Sequence, residues 1–120
     1  MNTAISYMYR DADNYKETAR VVLSGELSKT DLADILAARD ENFYFIPSQV
    51  GLDDLQEKLA AYGSGDMTDS DHVWHELEDD AFEATDETPT NELTVAELAD
   101  RFRTVKWNIG AALALHGISA

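Results

Sequence analysis

The chain has no cysteine in its 120 residues. That excludes a disulfide framework, a thiolate nucleophile and a cysteine-ligated metal centre. Proline occurs twice and glycine six times, too few for a fibrous or low-complexity chain. No apolar run approaches the roughly 20 residues of a membrane-spanning helix, and Ala111 to Leu115 falls well short. Met1-Asn2-Thr3-Ala4-Ile5 carries neither the basic region nor the apolar core of a secretory signal. These absences lead to the expectation of a cytoplasmic protein. Basic residues are also scarce: nine against twenty-four acidic ones, a formal net charge of −15. Such a field repels nucleic acid and anionic lipid and attracts basic surfaces. Neither direct nucleic-acid binding nor membrane association is expected.

What remains is ordinary globular material. Hydrophobic residues make up 44% of the chain, enough for one domain over residues 1–120 with a core that needs no metal. The pattern predicts an α+β fold: a small, mostly antiparallel sheet of three to four strands, with about three helices packed on one face. Ile5, Tyr7 and Tyr9 alternate with Ser6, Met8 and Arg10, and Ala19, Val21 and Leu23 fall on one face of the β-branched, apolar segment Thr18 to Leu23. Strands are therefore expected near 4–10 and 17–23, forming a hairpin. Phe43 to Ile46 and residues 72–77 are the other expected strands. Pro47 restricts the former to a strand end or an edge.

Helices are expected near 28–40, 52–62 and 94–108. Ser28 can cap the first, with Leu27 and Leu32 as its hydrophobic staple. Leu52, Leu55, Leu59 and Tyr62 give the second its stripe. Thr94-Val95-Ala96-Glu97 is a capping box for the third, whose stripe is Val95, Leu98, Phe102 and Val105. Gly110 is expected to break or bend that helix. Glu78 to Asn91, acidic and containing Pro89, reads as a long loop or irregular arm.

The most unusual stretch runs from Leu59 to Asp100. It contains no lysine or arginine, yet holds thirteen of the twenty-four carboxylates. Asp66, Asp69 and Asp71 open it; Glu76, Glu78, Asp79 and Asp80 follow; Glu83, Asp86 and Glu87 extend it. With Trp74, a residue type enriched at interfaces, these are the candidate partner-binding residues.

Three local patterns resemble those of a family of small acidic bacterial and phage-borne proteins. They are Tyr9-Arg10-Asp11-Ala12 with Asn14-Tyr15-Lys16, Phe45-Ile46-Pro47 with Gln49-Val50-Gly51-Leu52, and Asp71-His72 with Trp74-His75-Glu76-Leu77. The resemblance covers most of residues 7 to 100. It implies a shared fold and no particular activity. The acidity also resembles, more loosely, nucleic-acid-mimicking inhibitors of the anti-CRISPR and anti-restriction type. That resemblance implies a counter-defence role, in which carboxylates imitate phosphates and block a basic groove.

No catalytic signature competes with this. His72, His75 and Glu76 form the alternative centre, a small metal-binding protein or enzyme. Their order, His-Val-Trp-His-Glu, matches neither His-Glu-x-x-His nor His-x-x-Glu-His. On a strand the two histidines would also point to opposite faces. Glu78-Asp79-Asp80 lacks the contrast of buried and solvated carboxyls that acid/base chemistry needs. Asp66-x-x-Asp69-x-Asp71 lacks a calcium loop's glycine and closing glutamate. Arg10 and Lys16 are expected to pair with the acidic arm across a hairpin turn. Trp74 and Trp107 read first as core anchors. The expectation is a non-enzymatic, cofactor-free module that binds a basic protein surface, such as that of a nucleic-acid-binding protein.

Overall fold

A computed structural model of the chain describes residues 1–10, 16–55 and 73–114. β1 (Asn2–Arg10) and β2 (Lys16–Leu23) form the expected hairpin, in unbroken antiparallel register from Thr3↔Leu23 to Arg10↔Lys16. β3 (Tyr44–Phe45) and β4 (His75–Glu76) extend the sheet in the order β2-β1-β4-β3. β5 (Phe82–Thr85) also pairs with β1, beyond β4, from Asn2↔Thr85 to Ile5↔Phe82. Among the described residues every pairing between these strands is antiparallel.

β5 corrects the expectation of an irregular arm between Glu78 and Asn91. The acidic run closes a tight turn, with Ala81 N–H donating to the Glu78 carbonyl at 3.2 Å. Ser6 N–H then donates to the Ala81 carbonyl at 3.0 Å, which seats Phe82 against the core. Four residues give too short an alternation to stand out among acids. β1 supplies the ladder that makes them a strand.

Alternation along β1 assigns the two sheet faces. Ile5, Tyr7 and Tyr9 are buried on the helix side with Leu23, and Phe45 and His75 share that side. α1 (Lys29–Ala38) contributes Ile35 to this core, and α2 (Val95–Thr104) contributes Leu98 and Phe102. Both caps form as expected. Ser28 Oγ accepts from Asp31 N–H, and Thr94 and Glu97 complete a reciprocal box. The Glu97 carboxyl is held below its usual range by the Thr94 backbone N–H and then by the Thr94 side chain. Arg103 ties the two helices together through Asp31, Asp34 and Asp100. Its pKa rises further, through the bond to Asp34 first and then that to Asp31.

α2 ends before the expected boundary. Val105 is extended at φ −66 and ψ 140, which releases Trp107 toward the end of α1. There its indole N–H donates to the Ala38 carbonyl at 2.9 Å, and its ring packs edge-on against Phe102. A helix running to 108 would forfeit both contacts. Gly110 breaks nothing; it lies inside a short α3 (Ile109–Ala114). Ala112, Ile46 and Val73 form a satellite cluster flanked by Trp74 and Trp107, whose rings meet edge-on at 6.3 Å.

The helix expected over 52–62 does not begin at Leu52. Leu52 to Asp54 have no helical assignment, and residues 56–62 lie outside the described residues. Tertiary bonds claim this backbone instead. Tyr7 Oη donates to the Asp53 carbonyl at 2.8 Å, and Leu55 N–H donates to His75 Nε2 at 3.0 Å. Burial and the neighbouring Asp53 carboxylate push the Tyr7 hydroxyl pKa up. The preceding Gly51 adopts φ +91 beneath the Arg101 guanidinium, where any Cβ would collide with it.

Candidate functional site

The acidic stretch is held to the body of the protein by arginines from elsewhere in the chain. Arg10, at the end of β1, meets Glu76 on neighbouring β4 at 3.2 Å. Arg39, just past α1, reaches Asp79 at 2.7 Å. Arg20, on β2, grips both oxygens of Glu87, at 3.0 and 2.6 Å. The bond from Arg20, aided by Thr85, holds the Glu87 carboxyl below its usual range. Three members of the stretch are thus neutralised by tertiary contacts. The sequence expected this only for Arg10. Lys16 has no ion pair among the described residues.

Between these fastenings lie Glu78, Asp80, Glu83 and Asp86, all exposed. None of the four forms an ion pair among the described residues. Glu83 helps to raise the Arg20 pKa, but the Arg20 fork is occupied by Glu87. The exposed four follow one path, from the turn after β4, along β5 and into the next loop. Asp66, Asp69 and Asp71 lie outside the described residues, as does His72. Trp74 is half-buried against Trp107. Of the residues read as partner-binding, Glu76, Asp79 and Glu87 therefore serve first as fastenings.

His75 is a core residue, 1% exposed. Nε2 accepts the Leu55 N–H at 3.0 Å, so Nδ1 carries the proton and donates to the Val73 carbonyl at 3.1 Å. The Asp54 carboxylate lies 3.5 Å from Nε2. Glu76, its neighbour in β4, points to the opposite sheet face, where it pairs with Arg10. Among the described residues no three metal-ligating side chains converge, and no helix is long and apolar enough to cross a membrane.

The outer sheet face, opposite the helices, is divided by the loop that follows β5. Glu87 and Thr90 bring that loop across one end. Asn2 donates to the Glu87 carbonyl, Arg20 holds the Glu87 carboxylate, and Thr90 bonds both backbone groups of Val22. Ala4 and Val22, facing outward, are 1% and 2% exposed at that end. The other end is an open depression of about 310 Å³ over Ser6, Met8, Thr18 and Arg20, with Glu76 and Glu78 on its rim. No run of residues in the sequence announces this hollow, because its walls come from three separate strands and a turn. Comparison with known proteins gave no match to a family model, a curated protein or a solved structure.

Proposed function

We propose that the protein is a non-enzymatic binding module whose exposed carboxylates engage a basic groove on a partner protein. The observation that carries this is the path Glu78, Asp80, Glu83 and Asp86, left exposed and without ion pairs among the described residues while Glu76, Asp79 and Glu87 are neutralised. Fastening by Arg10, Arg39 and Arg20 reduces the ordering cost on association, because the strip is already held in place. A net charge of −15 adds long-range steering toward a cationic surface. Nucleic-acid-binding proteins present such grooves, and carboxylates at phosphate-like positions would obstruct them. An inhibitor carried by a phage or plasmid is one form this role takes. The alternative centred on His72, His75 and Glu76 has less support, since both His75 ring nitrogens already hold backbone groups.

The test compares two triple charge reversals in a pull-down from lysate, read by mass spectrometry. One changes Glu78, Asp80 and Glu83 to Lys. The other changes Asp40, Glu41 and Glu92 to Lys, exposed carboxylates off the strip with no ion pair among the described residues. Asp31 and Asp34 are unsuitable as controls, because Arg103 depends on them. Each reversal adds two charges, so both triples move the net charge from −15 to −9 and weaken steering alike. The strip triple is expected to lose the partner and the control triple to retain it. Equal retention, or equal loss, would reduce the strip to a solubility feature.

A further inference from the structure

We infer that the outer edge of β2 accepts an extended basic segment of the partner as an added sheet strand, with one cationic side chain lying in the Met8–Glu78 depression. This rests on the acidic-module reading for the charge of the occupant. It goes beyond that reading in naming the backbone that binds it.

The edge argument comes from the ladder. In an antiparallel pair, alternate residues direct both backbone groups toward the partner strand or away from it. Val22 directs its groups away from β1: its N–H donates to Thr90 Oγ1, and its carbonyl accepts the Thr90 N–H. The β1–β2 register runs without a bulge from Leu23 to Lys16. Period two therefore turns the backbone groups of Arg20 and Thr18 outward as well. No hydrogen bond engages them among the described residues. Among the described residues β2 is thus an edge that the chain itself extends by one residue, at Val22, and leaves unpaired beyond it. Such edges bind extended peptides through backbone hydrogen bonds, with side-chain pockets setting specificity.

The side chains around that edge specify the occupant. On the helix side, an added strand would lie beside Ala19 and Val21, both half-buried, so small apolar residues suit those positions. On the outer side it would lie beside Thr18, with the depression one strand further in. Adjacent strands are about 4.8 Å apart, so a lysine or arginine crossing β2 reaches this hollow. There Met8 offers a thioether to the aliphatic stem, and the exposed Glu78 carboxylate on the rim supplies the counter-charge, Glu76 being already held by Arg10. Of the local cations, Arg10 is paired with Glu76 and Arg20 with Glu87, while Lys16, at the start of β2, does not line the depression. The matching segment alternates small apolar residues with lysine or arginine. A second copy of this chain is disfavoured as the occupant, because it brings another −15 of charge.

The probe is a short synthetic peptide alternating lysine with valine, compared with the same peptide N-methylated on every backbone amide. The N-methylated version keeps the positive charge and the side chains and loses its ladder donors. Binding is measured by titration calorimetry and amide chemical shifts. Thr18→Pro is the test variant. The Thr18 N–H faces outward, so this change breaks no bond to β1 and is compatible with an edge position. A melting curve confirms its folding.

The unmethylated peptide is expected to bind, to shift the Thr18 and Arg20 amides, and to lose up to about tenfold in affinity on Thr18→Pro, the upper end for one lost backbone hydrogen bond. Should Thr18→Pro not fold, the N-methylated peptide and the wild-type amide shifts decide alone. Equal affinity for both peptides, with loss only in the Glu78, Asp80, Glu83 triple, would overturn strand addition and leave the acidic-module reading standing. No binding of either peptide would overturn the inference too, as would self-association through this edge. The triple reversals against the lysate partner test the underlying reading separately.

Discussion

Arg39 is a cation that the fold has drawn almost wholly inside, with its side chain 4% exposed. Its three bonds differ in worth. Nη1 donates to the buried Leu77 carbonyl at 2.5 Å, Nε donates to the Leu36 carbonyl at 3.0 Å, and Nη2 meets Asp79 at 2.7 Å. Asp79 is 81% exposed, so water can solvate its carboxylate whether or not Arg39 is present, and the ion pair is discounted accordingly. The Leu77 carbonyl has no such recourse. Leaving it unsatisfied costs about 2 kcal/mol, and losing the buried stem adds about 1 kcal/mol. Water can replace the Nε bond at the end of α1. Arg39→Ala should therefore destabilise by about 3 kcal/mol, Arg39→Met by about 2 kcal/mol, and Asp79→Asn by about 1 kcal/mol. Urea denaturation at neutral pH measures all three, with an unchanged m-value as the condition for comparing them. If Asp79→Asn costs as much as Arg39→Ala, the ion pair dominates and the reasoning from the Leu77 carbonyl fails. The ranking also bears on function. Asp79 would be confirmed as a fastening of minor worth, and Arg39 as what positions the turn bearing Glu78 and Asp80.

Leu98→Ala and Phe102→Ala should each cost about 2–5 kcal/mol, since both are buried in the main core and truncation leaves a cavity. Denaturation curves overlapping the wild type would contradict the packing of α2 against the sheet. The pH dependence has a defined sign. Glu87 is held below the ordinary glutamate value of 4.5, chiefly by Arg20. Its contribution is present above that value and disappears as pH falls through the lowered one. Melting temperatures recorded downward from pH 5 should fall less steeply for Glu87→Gln than for the wild type, and parallel curves would refute the linkage.

Several local features were legible in the sequence because short-range physics decides them. The alternation of Ile5, Tyr7 and Tyr9 places β1, and that of Ala19, Val21 and Leu23 places β2. Ser28 and the Thr94–Glu97 box mark two helix starts because capping bonds span only three residues. Leu98 and Phe102 read as core from one helical stripe. The acidity of residues 59–100 needs no structure at all.

The tertiary structure decided what depends on residues distant in sequence. β5 exists because β1 offers it a ladder, and the backbone of residues 52–55 is drawn to Tyr7 and His75 rather than to a helix. α2 stops early because Trp107 gains more from Ala38 and Phe102 than from another helical turn. The same holds for the candidate site. By sequence every carboxylate from Glu76 to Glu87 was equivalent. Only the fold brings Arg10, Arg39 and Arg20 to Glu76, Asp79 and Glu87 and leaves Glu78, Asp80, Glu83 and Asp86 exposed. An ion pair forms over a few ångströms whatever the chain separation, so one-dimensional order cannot sort carboxylates that are fastened from those that are available.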